Sequence, residues 1–248
     1  MIAPEESSPL PPAKPPRDPF WGYTDVLMFV GLAMPCALLS VGAVRAFVWL
    51  LHFRTSNRTW ELLPEQAVLY ALLMGLLAAI FRLQYERPFW PSLGWVTYRL
   101  APFQPVVLGV LTAILVNLVG LLIRVPNTEN PMTQLLKDPA SMVLIAVFGV
   151  TIGPLCEELV FRGFLQPLLV RSLGVFGGIL AASIPFGLLH YQQYGNSWKH
   201  VVVITLAGAA FGCMRQATGS TRASTLMHAA YNALFFLALF GAKAGGRP

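Results

Sequence analysis

Gly153-Pro154-Leu155-Cys156-Glu157-Glu158-Leu159-Val160-Phe161-Arg162 places two adjacent carboxylates and a guanidinium inside an apolar stretch. The run Met142 to Val150 before it and the segment Phe164 to Val170 after it are almost wholly hydrophobic. Hydropathy therefore reads the decamer as part of a membrane-embedded helix. On insertion scales a charge at the centre of such a helix costs about 2.5–3.5 kcal/mol, so three of them need partners or a task. An ionisable cluster within a membrane is a functional-site hypothesis by default, and this one asks for partners elsewhere in the chain.

The rest of the composition agrees with a bilayer as solvent. Of 248 residues, 56% are hydrophobic and only 11% charged, against about 25% charged in ordinary soluble domains. The mean hydropathy of +0.62, with several long apolar runs, gives an all-α, polytopic helical membrane protein. The alternating segments of a transmembrane barrel are absent. The formal charge of +6 is spread over loops and helix ends, which suits lipid headgroups, and no basic stripe or motif supports nucleic-acid binding. Cys36, Cys156 and Cys213 lack CxxC spacing and read as small buried residues, not a disulfide framework. Cys156 borders the glutamates, but a thiol in apolar surroundings is normally inert.

Seven spans are expected. The chain opens on a segment, Met1 to Phe20, holding seven prolines, which reads as a disordered or polyproline-II tail without the pattern of a cleaved signal peptide. Spans follow at about 26–51, 67–81, 105–123, 141–170, 173–190, 200–214 and 223–240. Arg45 is expected to snorkel or pair, and Asn117 to bond between helices. Between the second and third spans, Tyr85, Phe89, Trp90, Trp95 and Tyr98 mix with Arg82, Arg87 and Arg99 as an interfacial anchor. Asn57-Arg58-Thr59 has the form of a glycosylation acceptor. In the fourth span Gly153-Pro154 predicts a kink that admits water to Glu157. Lys and Arg outside the spans number eight on the amino-terminal side (Lys14, Arg17, Arg82, Arg87, Arg99, Arg171, Arg215, Arg222) and seven on the other (Arg54, Arg58, Arg124, Lys137, Lys199, Lys243, Arg247). This is a slight lean to a cytoplasmic amino terminus.

Three further polar residues lie in or beside expected spans. His190 closes the fifth, in Phe186-Gly187-Leu188-Leu189-His190, while His228 and Asn232 stand one turn apart on one face of the seventh. Glu158 and Arg162 share the same four-residue spacing, suited to an ion pair, which leaves Glu157 about 100° round the helix as the carboxylate free for chemistry. Singly, each residue has an ordinary reading as helix-helix hydrogen bonding. Together they supply a base, two imidazoles and an amide, the groups needed to activate water and stabilise an oxyanion.

These residues fall in an order that resembles the CPBP family of intramembrane peptidases, which includes the CAAX prenyl endopeptidases and bacteriocin-processing or immunity relatives. The family pattern, Glu-Glu-x-x-x-Arg, then Phe-x-x-x-His, then His-x-x-x-Asn or Asp, matches Glu157, Glu158 and Arg162, then Phe186 and His190, then His228 and Asn232. The resemblance covers about residues 141–240. Composition and hydropathy place a Pro-rich disordered cytoplasmic tail over 1–23 and membrane helices with an interfacial segment over 24–140; the resemblance implies a catalytic membrane core over 141–248 with four helices.

It further implies an endopeptidase in which Glu157 and His190 orient and deprotonate water, and His228 and Asn232 hold the carbonyl oxygen. Glu158, Arg162 and Phe186 support the site. No cofactor is favoured; zinc is the alternative, with Glu157, His190 and His228 as its ligands, although the helical His-Glu-x-x-His pattern is absent. The expected partners are membrane lipids and a protein or peptide substrate, lipidated in the CAAX case, with no nucleic acid. The expected location is a bacterial plasma membrane. A proton-coupled transporter, with Glu157, Glu158 and His190 as relay, and a non-catalytic immunity or scaffold protein of the same fold are the competing readings.

Overall fold

The computed structural model describes residues 18–52, 57–126 and 129–245. Most of the Pro-rich tail expected over 1–23, together with Arg54 and Arg247 of the charge count, lies outside the described residues. The rest is helical: α1 (Tyr23–Leu50), α2 (Thr59–Ala79) continued by a π-helical turn (Ile80–Gln84), and the short α3 (Phe89–Ser92). α4 (Phe103–Leu122), α5 (Pro131–Leu135), α6 (Pro139–Val150) and α7 (Ile152–Glu158) follow. A second π-helical stretch (Leu159–Leu165) leads into α8 (Gln166–Leu189), then α9 (Trp198–Thr218) and α10 (Thr221–Ala244).

Six helical runs among the described residues are long and apolar enough to cross a membrane. Their outward side chains, such as Leu27, Leu38, Trp49, Leu122 and Phe176, are large and exposed, as lipid-facing surfaces are. The fourth run, Pro139–Leu189, has 51 residues, about 75 Å if straight, which is far more than a hydrocarbon core of about 30 Å. It is not straight. At Gly174 the backbone leaves the helix with φ 73° and ψ 173°, a conformation that side chains resist, and the chain doubles back. A Cβ on Gly178 would lie 2.4 Å from the amide nitrogen of Val170. On α9, Gly208 faces both Arg162 and Ser183, and Gly212 faces both Gln166 and Ile179. The expected fourth and fifth spans are thus the two arms of this hairpin.

Within the first arm the helix breaks at Thr151 (φ −118°, ψ −83°), three residues before the proline where a kink is expected. Pro154 offers no N–H to the carbonyl of Val150 and its ring crowds that carbonyl, so the distortion falls in the preceding turn. The wide turn over Leu159–Leu165 then changes the phase of the side chains. Its Phe164 carbonyl accepts from Trp21 Nε1 at 3.0 Å. Around that bond Trp21, Phe29, Leu77, Phe81, Leu93, Phe164 and Leu168 form one buried core. A second core joins Val116 of α4 to Ala207, Phe211, Ala223 and Met227 of α9 and α10.

Several sequence expectations change in detail. The segment expected as a headgroup anchor exposes Trp90 but buries Leu93 completely. Its backbone docks on the start of α10: Thr221 N donates to Gly94 O at 2.8 Å, Thr221 Oγ1 to Leu93 O at 3.1 Å, and Ser220 Oγ to Val96 O at 2.6 Å. Cys156 is buried but Cys213 is exposed on α9, because in a bilayer an apolar helix face points outward to lipid. Arg45 reaches Glu65 at 3.9 Å. The Asn57 amide, where a glycan would attach, instead donates to Asp138 Oδ2 at 2.9 Å and to Ser141 Oγ at 2.8 Å. Asn117 lies on the wall of the central cavity.

Candidate active site

Glu158 and Arg162 form the site's fixed base. Arg162 Nη1 donates to Glu158 Oε1 at 2.8 Å, and both side chains are wholly inaccessible. Arg162 Nη2 donates to the carbonyl of Gly208 at 2.8 Å, where the lack of a side chain on α9 makes room. The guanidinium also lies 4.4 Å from the ring centre of Phe186 and 5.5 Å from that of Phe211, so its charge is spread over two π faces. Phe186, a residue of the Phe-x-x-x-His pattern, therefore serves as the floor under Arg162.

His228 is held on three sides. Its ring stacks on Phe211 at 4.4 Å and meets the edge of Phe186 at 5.8 Å. Nδ1 lies 3.1 Å from Glu158 Oε1. That oxygen belongs to a carboxylate paired with Arg162 and can only accept, so the His228 Nδ1–H donates. The other ring nitrogen, Nε2, stands 3.9 Å from Glu157 Oε2. This gap exceeds a direct hydrogen bond and is the kind a bridging water fills.

Glu157 is turned away from its neighbour, as the sequence spacing predicts, and its side chain is 22% accessible. Oε1 accepts from the Tyr70 hydroxyl at 2.8 Å, a partner sequence reasoning missed. Tyr70 sits in α2, and its ring stacks on Phe148 of α6 at 6.0 Å and 10°. The only hint was a lone hydroxyl in the run Ala67 to Leu77, since a buried tyrosine usually finds a hydrogen-bond partner.

His190 and Asn232 are nearby but engaged with backbone. His190 Nδ1 lies 2.8 Å from the Phe186 carbonyl; a carbonyl only accepts, so Nδ1 carries the proton and Nε2 is the acceptor nitrogen of the neutral ring. Glu157 and His190 line the same cavity and make no direct hydrogen bond to each other. Asn232 Nδ2 donates to Gly149 O at 2.7 Å, two residues before the break at Thr151, which leaves its second N–H and its oxygen for other partners.

One cavity of about 2140 Å³ joins Tyr70, Glu157, His190, His228 and Asn232. It runs past Tyr194 and His200 beyond α8 and between α2 and α4, where Leu69, Leu73, Ile114 and Leu118 give it apolar walls. Such a volume exceeds the range of about 300–1,000 Å³ common for small-molecule pockets. Outside the spans, Tyr194 has its phenol held above the ordinary tyrosine range, by burial first and then by the charge of Glu157.

Residues 139–234 match the family model described as type II CAAX prenyl endopeptidase Rce1-like. The matched segment runs from α6 into α10 and contains Glu157, Glu158, Arg162, Phe186, His190, His228 and Asn232; it agrees with the CPBP resemblance. No curated protein and no solved structure matches the chain. With six apolar helical runs among its described residues, the chain is an integral, multi-pass membrane protein with a segment that matches a protease family model. The family points to a peptidase with a protein or peptide substrate. Tyr70 lies outside the matched residues.

The zinc alternative can be tested on the side chains. Three ligands and an open position are needed, each near 2.0–2.2 Å from the ion. Among the described residues no three His, Cys, Asp or Glu side chains are grouped to hold one. His228 and His190 each give Nδ1 to an oxygen acceptor and keep Nε2, as many metal-bound histidines do, so the mismatch lies in spacing: Glu157, His190 and His228 are not grouped as a His₂Glu zinc site needs. No step below passes through a metal.

Proposed function

We propose that the protein is an intramembrane endopeptidase of a bacterial plasma membrane that hydrolyses a peptide bond by general-base catalysis at Glu157. Its substrate class is a protein or peptide carrying a prenylated CAAX-type carboxyl terminus. The observation that carries the reading is the 3.9 Å gap between Glu157 Oε2 and His228 Nε2 on the wall of a cavity large enough for a peptide with a lipid chain. A base and a donor at that separation can serve the attacking oxygen and the carbonyl oxygen of one reacting centre.

In this mechanism a water in the gap attacks the scissile carbonyl carbon and gives a proton to Glu157 Oε2. His190, which lines the same cavity, orients that water through Nε2. Negative charge gathers on the carbonyl oxygen, held by His228 and by the second N–H of Asn232. Collapse breaks the C–N bond, and Glu157 returns its proton to the leaving amine. Glu158 and Arg162 keep His228 in place, in the way a buried carboxylate orients a catalytic imidazole.

The test uses protein reconstituted in liposomes and a fluorogenic peptide ending in a farnesylated Cys-a-a-X sequence. Cleavage by the wild-type protein, lost in Glu157→Gln, supports the proposal. Peptide uptake into the liposomes without cleavage would favour a transporter instead.

A further inference from the structure

The Tyr70–Glu157 contact joins two parts of the chain that nothing in the family match connects. α2 precedes the matched residues 139–234, yet its tyrosine makes the hydrogen bond that occupies one oxygen of Glu157. We infer that Tyr70 is the positioning residue for the base: it holds Glu157 Oε1 so that Oε2 is presented to the water and to His228. The inference rests on the peptidase reading above and adds a residue to it.

The geometry favours positioning over packing. Glu157 stands on a cavity wall with 22% of its side chain accessible, and an unrestrained carboxylate there turns freely about its side-chain bonds. Its two oxygens are instead divided between two helices. Oε1 goes to Tyr70 of α2, and Oε2 faces His228 of α10. Tyr70 can set this orientation because it is itself set, its ring lying parallel to that of Phe148 with 10° between the planes. Phe148 lies on α6, three residues before the break at Thr151 that introduces the helix of Glu157. One aromatic contact therefore ties the donor to the segment that carries the acceptor. A reacting group needs this kind of support from rigid elements, since an error near 1 Å at the reacting atoms costs about 10²-fold in rate. The first half of the chain then completes the site as well as anchoring it.

Tyr70→Phe isolates the hydroxyl, because the phenyl ring keeps its stack on Phe148. In liposomes, with the fluorogenic farnesylated Cys-a-a-X peptide, this variant is expected to lose about 10²-fold in kcat with KM little changed, the pattern of a lost transition-state arrangement. Wild-type kcat in Tyr70→Phe would overturn the inference. A raised KM at unchanged kcat would also overturn it, by making Tyr70 a substrate contact. A second arm needs no substrate. In a double-mutant cycle of Tyr70→Phe and Glu157→Ala read by thermal midpoint, the double variant should shift by less than the sum of the single variants; additive shifts would mean that the two side chains do not interact, and the inference would fail. If the coupling appears but the wild-type protein cleaves nothing, the peptidase reading falls, and the role of the bond in hydrolysis falls with it.

Discussion

His228 donates Nδ1–H to Glu158 Oε1 across 3.1 Å, and the same oxygen takes Arg162 Nη1 at 2.8 Å. The paired carboxylate thereby sets which ring nitrogen of His228 carries the constant proton and leaves Nε2 to the cavity. Glu158→Gln keeps the shape but can present an N–H where His228 needs an acceptor, which favours the wrong tautomer. The expected result is a lowered thermal midpoint, because Arg162 loses its buried partner, and a kcat at least about 10²-fold lower in the protein that remains folded, measured by single-turnover cleavage.

Arg162 is the costliest residue to remove. It and its partner Glu158 are both wholly buried, and breaking a buried ion pair from one side costs about 3–5 kcal/mol. Arg162→Leu should therefore reduce detergent-solubilised, folded protein sharply. Arg162→Lys should recover only part of the loss, because a single ammonium cannot fork to Glu158 and the Gly208 carbonyl as the guanidinium does. Thermal unfolding of the two variants checks the order.

Gly109 lets α4 lie close against the helix of His228. A Cβ there would stand 2.2 Å from the Met227 carbonyl and 2.9 Å from the Ala230 side chain. Gly109→Ala must push α4 off α10, at about 1–3 kcal/mol for overpacking. A lowered thermal midpoint, with kcat falling because His228 moves with its helix, is the expected outcome.

Asp138 caps α6 outside the membrane, and its carboxyl is held below the usual range by the Ser141 amide first, then by the Ser141 hydroxyl and the Asn57 amide, with Lys243 adding to the effect. The folded state therefore binds its proton more weakly than the unfolded chain. Stability from this group is present above the unfolded carboxyl value, near 3.9, and is lost as pH falls through the lower folded value. The thermal midpoint of the wild-type protein should exceed that of Asp138→Asn at neutral pH, and the difference should shrink below about pH 4.

Local spacing made part of this site readable. Glu158 and Arg162, four residues apart, meet even through a π-helical stretch, and His228 and Asn232, also four apart, both turn toward the α6–α7 segment. What spacing cannot supply is the identity of a partner on a distant helix. Tyr70 contributes one hydroxyl to an apolar run, and only tertiary packing decides that it reaches Glu157. The backbone carbonyls of Phe186 and Gly149, which accept hydrogen bonds from His190 and Asn232, are equally silent in a sequence because every residue has one. The helical class and the hairpin arms followed from hydropathy. The break at Thr151 did not, because a proline strains the turn before it and its neighbours choose where the strain is released. The exposure of Cys213 was misread for a related reason, since apolar surroundings in a bilayer include lipid as well as protein.

The central claim is that Glu157 takes the proton from water. Its most direct test is the cleavage rate of Glu157→Gln against wild type, in liposomes, on the farnesylated Cys-a-a-X peptide, with folding verified by thermal midpoint. A folded variant with a rate at least about 10²-fold lower is predicted for loss of a general base. A folded Glu157→Gln protein that cleaves the peptide at the wild-type rate would contradict the account.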